Sequence, residues 1–190
     1  TQEDRNRAER KLRTAARVAG RHLPSGLPPI LYLTDPARTP DPVATASRLS
    51  SWHGLVYRHY GQPGHEQVAA DLAIVCRKRH VKLLIANDPM LAMQVGADGV
   101  HWPFAERGKA RRWRNRFALM TVSAHTPQQL RLLQNAVFDA APLSTAFPSA
   151  SPSARKPLGA LKFRKLARAS TLPVLRSVVF MPARHHLSHL

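Results

Sequence analysis

The stretch LLIANDPMLAMQVGADGVHW, residues 83–102, decides the fold. It opens on an apolar run too short for a helix and turns polar at Asn87 and Asp88. It then continues through PMLAMQVG with helical spacing and returns to a second short apolar run, GVHW. Apolar runs of this length suit a strand buried on both faces, and Pro after Asp is a helix-start signal. Strand, helix and strand within these 20 residues make a βα unit followed by the next strand, the connection that a parallel sheet requires.

The same alternation extends in both directions. Upstream, ILYLTD, GLVYRHYG and VKLLIAND are strand-like, separated by the helical runs DPVATASRLS and HEQVAADLAIVCRKRH, in which Val68, Leu72 and Val75 share a face. Downstream, FAERGKARRWRN reads as a helix, FALMTVSAH as a strand, and QQLRLLQNA as a helix opened by Thr126 and Pro127. FDAAPLS is a weaker strand, TAFPSASPSARKPLG a polar loop, ALKFRKLARAS a helix and LPVLRSVVF a seventh strand. Such alternation gives an α/β fold, either a closed barrel or an open doubly wound sheet. Polar residues stand at the C-terminal end of nearly every strand: Asp35, Arg58 with His59, Asn87 with Asp88, His101, Ser123 with His125, and Ser144. A site spread over all the βα loops belongs to a barrel, whereas an open sheet concentrates it at one switch point. No GxGxxG or P-loop pattern supports the open sheet. The expectation is a TIM (β/α)8-type barrel, incomplete at its C-terminal end.

A chain of 190 residues with 44% hydrophobic content is sized for one core. Residues 1–29 read as a basic helix with a Pro/Gly linker, and residues 30–190 as a single barrel domain. The one cysteine, Cys76, lies in a helical run, has no second cysteine to pair with and reads as apolar filler. No apolar run reaches the ~18 residues of a membrane span, and the N-terminus lacks a signal peptide's apolar middle, so the expected setting is cytoplasmic, with no membrane partner. The charge is unusual, with 29 Lys and Arg against 11 Asp and Glu, a formal +18. The basic residues are scattered and aromatics make up only 6%, which suits nonspecific contact with nucleic acid rather than base readout. Two other readings are a solvated, arginine-rich surface and an arginine-lined site for a phosphorylated small molecule.

The fragments LYLTD, IANDP, QVGADGVHW, TVSAHT and PLSTAFPSASPSARKPLG, in this order, resemble the thiamine-phosphate synthase and thiazole tautomerase (TenI-like) family of TIM barrels, over residues 30–173. The resemblance implies condensation of a hydroxymethylpyrimidine diphosphate with a thiazole phosphate and release of pyrophosphate. It implies Mg²⁺ bound by Asp88 and Glu106, substrate and phosphate contacts from Arg58, Asn87, Ser149, Ser151 and Gly159, and catalytic roles for Ser123 and His125. His125 is the acid/base of the tautomerase-like members. The chain departs from the family at three points. VYRHY, residues 56–60, replaces a Gln-Leu-Arg-Glu-Lys motif and keeps only Arg58; the seventh-strand Gly-Gly is absent; and the sequence stops before an eighth strand. The alternatives are a thiazole tautomerase, or a catalytically degenerate relative that binds a phosphorylated ligand or acts as a regulator.

Plainer roles stand beside these. Asp98 is a turn or cap residue, Asn87 and Asp88 are caps of the helix they precede, His101 is a satisfied interior histidine or a site residue, and Trp52, Trp102 and Trp113 are packing residues. Without an eighth strand, ILYLTD and LPVLRSVVF present edges. The expectation is that another copy of the chain, in a homo-oligomer, or the N-terminal helix with its stripe of Leu12, Ala15, Ala16 and Ala19 covers them, in preference to the two strands closing on each other.

Overall fold

The computed structural model describes residues 2–134, 137–143 and 159–178. A basic helix α1 (Gln2–Gly20) leads into seven βα-alternating strands: β1 (Ile30–Leu33), β2 (His53–Tyr57), β3 (Lys82–Ala86), β4 (Gly99–Trp102), β5 (Leu119–Val122), β6 (Ala141–Leu143) and β7 (Val174–Val178). Between them lie α2 (Pro42–Ser47), α3 (His65–Arg79), α4 (Pro89–Val95), a 3₁₀ segment (Phe104–Arg116), α5 (Pro127–Leu132) and α6 (Gly159–Ala169). None of the described helices is long and apolar enough to cross a membrane.

Three helices start by one device. Asp41, Asp88 and Thr126 each accept, through the side chain, the amide N–H three residues on, from Ala44 (2.8 Å), Leu91 (2.9 Å) and Gln129 (3.1 Å). Each is followed by a proline whose missing N–H costs nothing at the first helical position. The segment FAERGKARRWRN, expected as an α-helix, is wound as 3₁₀ instead. Ala110 is its only fully buried residue, with Phe104 and Trp113 packed partly against the core, and Arg107, Lys109, Arg111, Arg112, Arg114 and Arg116 crowd like charges along it, which disfavours the α form.

All strand pairs are parallel, in the order β5-β4-β3-β2-β1-β7-β6. Bridges from Thr121 to Ala140 and from Ala124 to Leu143 join β5 to β6, so the described strands form a closed ring. This is a TIM-type α/β barrel with seven strands among the described residues. The expectation that the edges of β1 and β7 would be covered is corrected: they pair directly, Leu31 with Ser177 and Tyr32 with Val178. Direct pairing satisfies the backbone groups of both edges, which leaves no edge for a helix to cover. In α1, Ala16 is buried and Ala19 exposed, while the side chains of Leu12 and Ala15 lie outside the described residues.

Strand residues alternate between two cores. Leu31, Leu33, Val56, Leu84, Ala86, Leu119, Ala140 and Leu175 fill the inside of the ring with Leu27 of the linker. Tyr32, Leu55, Leu83, Ile85, Val100, Trp102, Met120 and Val122 pack outward against Ala46, Ala69, Leu72, Cys76, Leu91 and Leu130 of the helices. The N-terminal end of the ring is stitched twice in the same way. Asp98, ahead of β4, accepts the Leu83 N–H (2.9 Å) and pairs with Lys82 (2.7 Å). Asp139, ahead of β6, accepts the Met120 N–H (2.7 Å) and pairs with Arg114 (2.7 Å). The structural reading of Asp98 therefore holds.

Gly99 is fixed by close approach, since a Cβ there would sit 1.7 Å from the Leu119 carbonyl oxygen. Gly99→Ala is expected to cost more than about 3 kcal/mol, because backbone rather than a rotatable side chain must give way. Gly108→Ala, which meets open space, is expected to change stability by less than about 1 kcal/mol. Urea unfolding of the two variants beside the wild type checks this, and equal midpoints would contradict the β4–β5 packing described.

Candidate active site at the barrel mouth

Because every strand runs the same way, the C-terminal ends of β1 to β7 open on one mouth. His101 is the buried polar centre beneath it. Its backbone pairs with Ala86 and Thr121 in the neighbouring strands, and its ring lies inside the barrel, 2% exposed. Nδ1 is 2.8 Å from Thr121 Oγ1 and Nε2 is 2.8 Å from Ser123 Oγ. Burial, reinforced by Arg58 and His125 nearby, pushes its pKa down to about 3, so the ring is neutral near pH 7.

Arg58 follows β2 and is anchored on β1. Its amide donates to Thr34 Oγ1 (2.9 Å), its Nε to the Thr34 carbonyl (2.8 Å), and Nη2 lies 3.7 Å from Asp35. Burial lowers its pKa, but a guanidinium stays charged. His59 is 8% exposed, stacks on Tyr57 with ring centres 4.9 Å apart, and has no partner for Nε2 among the described residues. Its pKa is lowered by burial first, with Asp35 opposing and Arg58 adding to the shift. Ser123, just past β5, is half-buried, and its amide donates to the Trp102 carbonyl (2.9 Å). His125 is also half-buried, its amide donating to Gln129 Oε1 (2.8 Å). Of the expected site residues, Ser123 bonds His101 directly, and Arg58 and His125, from the ends of β2 and β5, lie near enough to disfavour a charge on its ring.

The other expected residues fare differently. Asn87 follows β3 in the left-handed region (φ 54°), exposed, its amide donating to the His101 carbonyl (2.8 Å). Asp88 has the capping role, with Oδ1 on the Leu91 amide, while Oδ2 takes no hydrogen bond among the described residues. Glu106 lies in the first turn of the 3₁₀ segment and pairs with Lys109. Gly159 opens α6 at φ 76° with open space around it. Ser149 and Ser151, with Ser144, lie outside the described residues.

Among the described residues no three His, Cys, Asp or Glu side chains gather to hold a metal. Magnesium needs less from protein, one or two carboxylates with phosphate oxygens and water completing the shell. The Asp88 carboxylate, with one oxygen unspent, fits that demand as a hard oxygen donor. Cys76 is no rival nucleophile, since burial pushes its thiol up to about 12. A groove of about 560 Å³ between α3 and α4, lined by Ala70, Ile74, Arg77 and Gln94, lies on the outer helical layer, away from the mouth.

Two residues that organise the site, Thr34 and Thr121, escape a reading based on strand-end polar pairs. Thr121 was within reach, because it lies two residues before Ser123 and so on the same side of the strand.

The family profile described as thiamine monophosphate synthase matches residues 50–176, which take in β2 through most of β7. The chain belongs to the thiamine monophosphate synthase family. A thiamine-phosphate synthase from Alcanivorax borkumensis is 40% identical to it over 75 residues, a match covering 36% of this chain and 35% of the relative. The chain thus aligns with about a third of that curated relative's length. A solved thiamine phosphate pyrophosphorylase from Pyrococcus furiosus superposes with a TM-score of 0.62 at 16% identity, covering 80% of this chain and 76% of that one. That likeness carries the barrel fold.

Neutral burial of His101 has a consequence in acid. Unfolding frees the ring to its ordinary pKa of 6.5, so between roughly pH 6.5 and 3 the unfolded chain binds a proton that the folded one refuses. Stability contributed by this residue is complete above pH 6.5 and falls as the pH drops, by up to about 1.4 kcal/mol per unit. In His101→Gln the slope of unfolding free energy against pH is expected to be shallower across this window. A slope unchanged by the substitution would contradict the neutral ring.

Proposed function

We propose that this chain acts as a thiamine-phosphate synthase-like transferase, joining a hydroxymethylpyrimidine diphosphate to a thiazole phosphate with loss of pyrophosphate. The observation that carries this reading is the hydrogen bond from buried His101 to Ser123 at the mouth of a barrel of this family, onto which Arg58 and His125 also open from neighbouring strand ends. Such a reaction needs little covalent help from protein. It needs the two rings held together in a dry site and the departing diphosphate stabilised as its charge grows.

Arg58, anchored through Thr34 and Asp35, supplies fixed positive charge for phosphate oxygens. Ser123 offers a hydroxyl to a substrate oxygen or ring nitrogen, and Asn87 offers its side-chain carboxamide from the exposed end of β3. Ser149, Ser151 and Gly159 belong to the phosphate-binding loop in this reading. Magnesium, when bound through Asp88 and Glu106 with diphosphate oxygens, would neutralise charge on the leaving group. The barrel wall below His101 is apolar, which keeps bulk water from the lower side of the mouth.

A second reading is a relative that binds a phosphorylated ligand without turning it over. It draws on VYRHY at the end of β2, where Tyr60 stands in place of the family's lysine, and on the engagement of Glu106 by Lys109. A thiazole tautomerase with His125 as acid/base is the third form of the same site. Weak contact with nucleic acid follows from the net charge of +18 alone and should vanish near physiological salt.

Formation of thiamine phosphate from the two substrates with Mg²⁺ tests the leading reading, and binding without turnover would establish the second. The metal assignment has its own check, in which Asp88→Asn keeps a good helix cap while removing the charge. Asp88→Asn is expected to weaken Mg²⁺-pyrophosphate binding about tenfold or more in calorimetric titration, with stability within about 0.5 kcal/mol of wild type. Asp88→Ala should lose the same binding and about 1 kcal/mol of stability besides. Equal heats in wild type and Asp88→Asn would remove Asp88 from the metal site.

A further inference from the structure

The line Thr121–His101–Ser123 has a hydrogen-bond count that fixes its direction. Thr121 is wholly buried, and its hydroxyl has one neighbour among the described residues able to take its proton, Nδ1 of His101 at 2.8 Å. A neutral imidazole carries a proton on one nitrogen only. With that proton on Nδ1, the ring would donate to Thr121, and the Thr121 hydroxyl proton would be buried with no acceptor among the described residues, leaving an unmet donor in the core. With the proton on Nε2, every group is satisfied. Thr121 donates to Nδ1, Nε2–H donates to Ser123 Oγ at 2.8 Å, and the Ser123 hydroxyl proton is turned away from the ring.

We infer that Thr121 and His101 are positioning residues that hold the histidine as its Nε2–H tautomer and so aim the Ser123 hydroxyl proton out into the barrel mouth. Ser123 then meets its ligand as a donor, which selects an acceptor-rich group such as a phosphate or diphosphate oxygen. A protonated ring would break the arrangement by demanding two acceptors, and burial together with the Arg58 guanidinium opposes it. Sequence gives no hint of this polarity, since Ser, His and Thr each both donate and accept. It emerges only from the burial of Thr121. The ligand half of the inference rests on the phosphorylated substrate proposed above. The tautomer half stands without it.

Two measurements on the full chain separate the halves. Nitrogen-15 NMR of labelled histidine reads the tautomer directly. The wild type is expected to show His101 protonated on Nε2 and bare on Nδ1. Thr121→Val should shift population toward the Nδ1–H form, and Thr121→Ser, which restores a hydroxyl, should recover the wild-type pattern. A wild-type His101 protonated on Nδ1 overturns the inference, as does a Thr121→Val ring indistinguishable from wild type. The second measurement is calorimetric binding of inorganic pyrophosphate with Mg²⁺. Thr121→Val and Ser123→Ala are each expected to weaken it about tenfold and the double variant by little more, because both remove the same donated hydrogen bond. Thr121→Ser should bind as wild type does. Loss of binding in Ser123→Ala with none in Thr121→Val overturns the aiming role. Should wild type bind no pyrophosphate while showing the expected tautomer, the positioning inference is upheld and the substrate reading falls.

Discussion

Closure of the parallel ring is the constraint from which the rest follows. The pairing of Leu31 with Ser177 and of Tyr32 with Val178, with the bridges from β5 to β6, leaves none of the described strands with an open edge. Once closed, each strand has an inside and an outside, and the period of two sorts its residues between an apolar interior and a helix-covered exterior. Closure also forces all seven C-terminal ends onto one face. Arg58 from β2 and Ser123 and His125 from β5 converge there although more than sixty residues separate the first from the others in the chain.

Much of this was legible in the sequence, for reasons that differ by element. The strands announce themselves because burial on both faces demands continuous apolar runs, and α2, α4 and α5 because Asp-Pro and Thr-Pro steps are local signals that need no tertiary context. The 3₁₀ segment reads in sequence as α-helix, since apolar spacing alone does not reveal that only Ala110 is fully buried, with Phe104 and Trp113 packed partly against the core. The direct closure of β1 on β7 was also misjudged. Strand pairing between residues about 145 apart is set by the geometry of the whole ring and leaves no mark on either strand.

At the site, residue types were readable and relationships were not. Asp88 illustrates the difference. Its position after β3 suits both a helix cap and a metal ligand, and the structure places one carboxylate oxygen on the Leu91 amide while the other takes no hydrogen bond among the described residues. The two roles share one side chain without conflict. His101 reads in sequence as either a core or a site residue, and in three dimensions it is both, buried among interior side chains yet bonded to a serine at the mouth.

The paired aspartates at the opposite end bear on how such a barrel diversifies. Asp98 ties β4 to β3 and Asp139 ties β6 to β5, each through a backbone amide and a basic side chain on the face remote from the mouth. Register is thereby secured by groups that never meet a ligand. Selection acting on the rim is then free to exchange chemistry there, as in the VYRHY segment, without unstitching the ring beneath it.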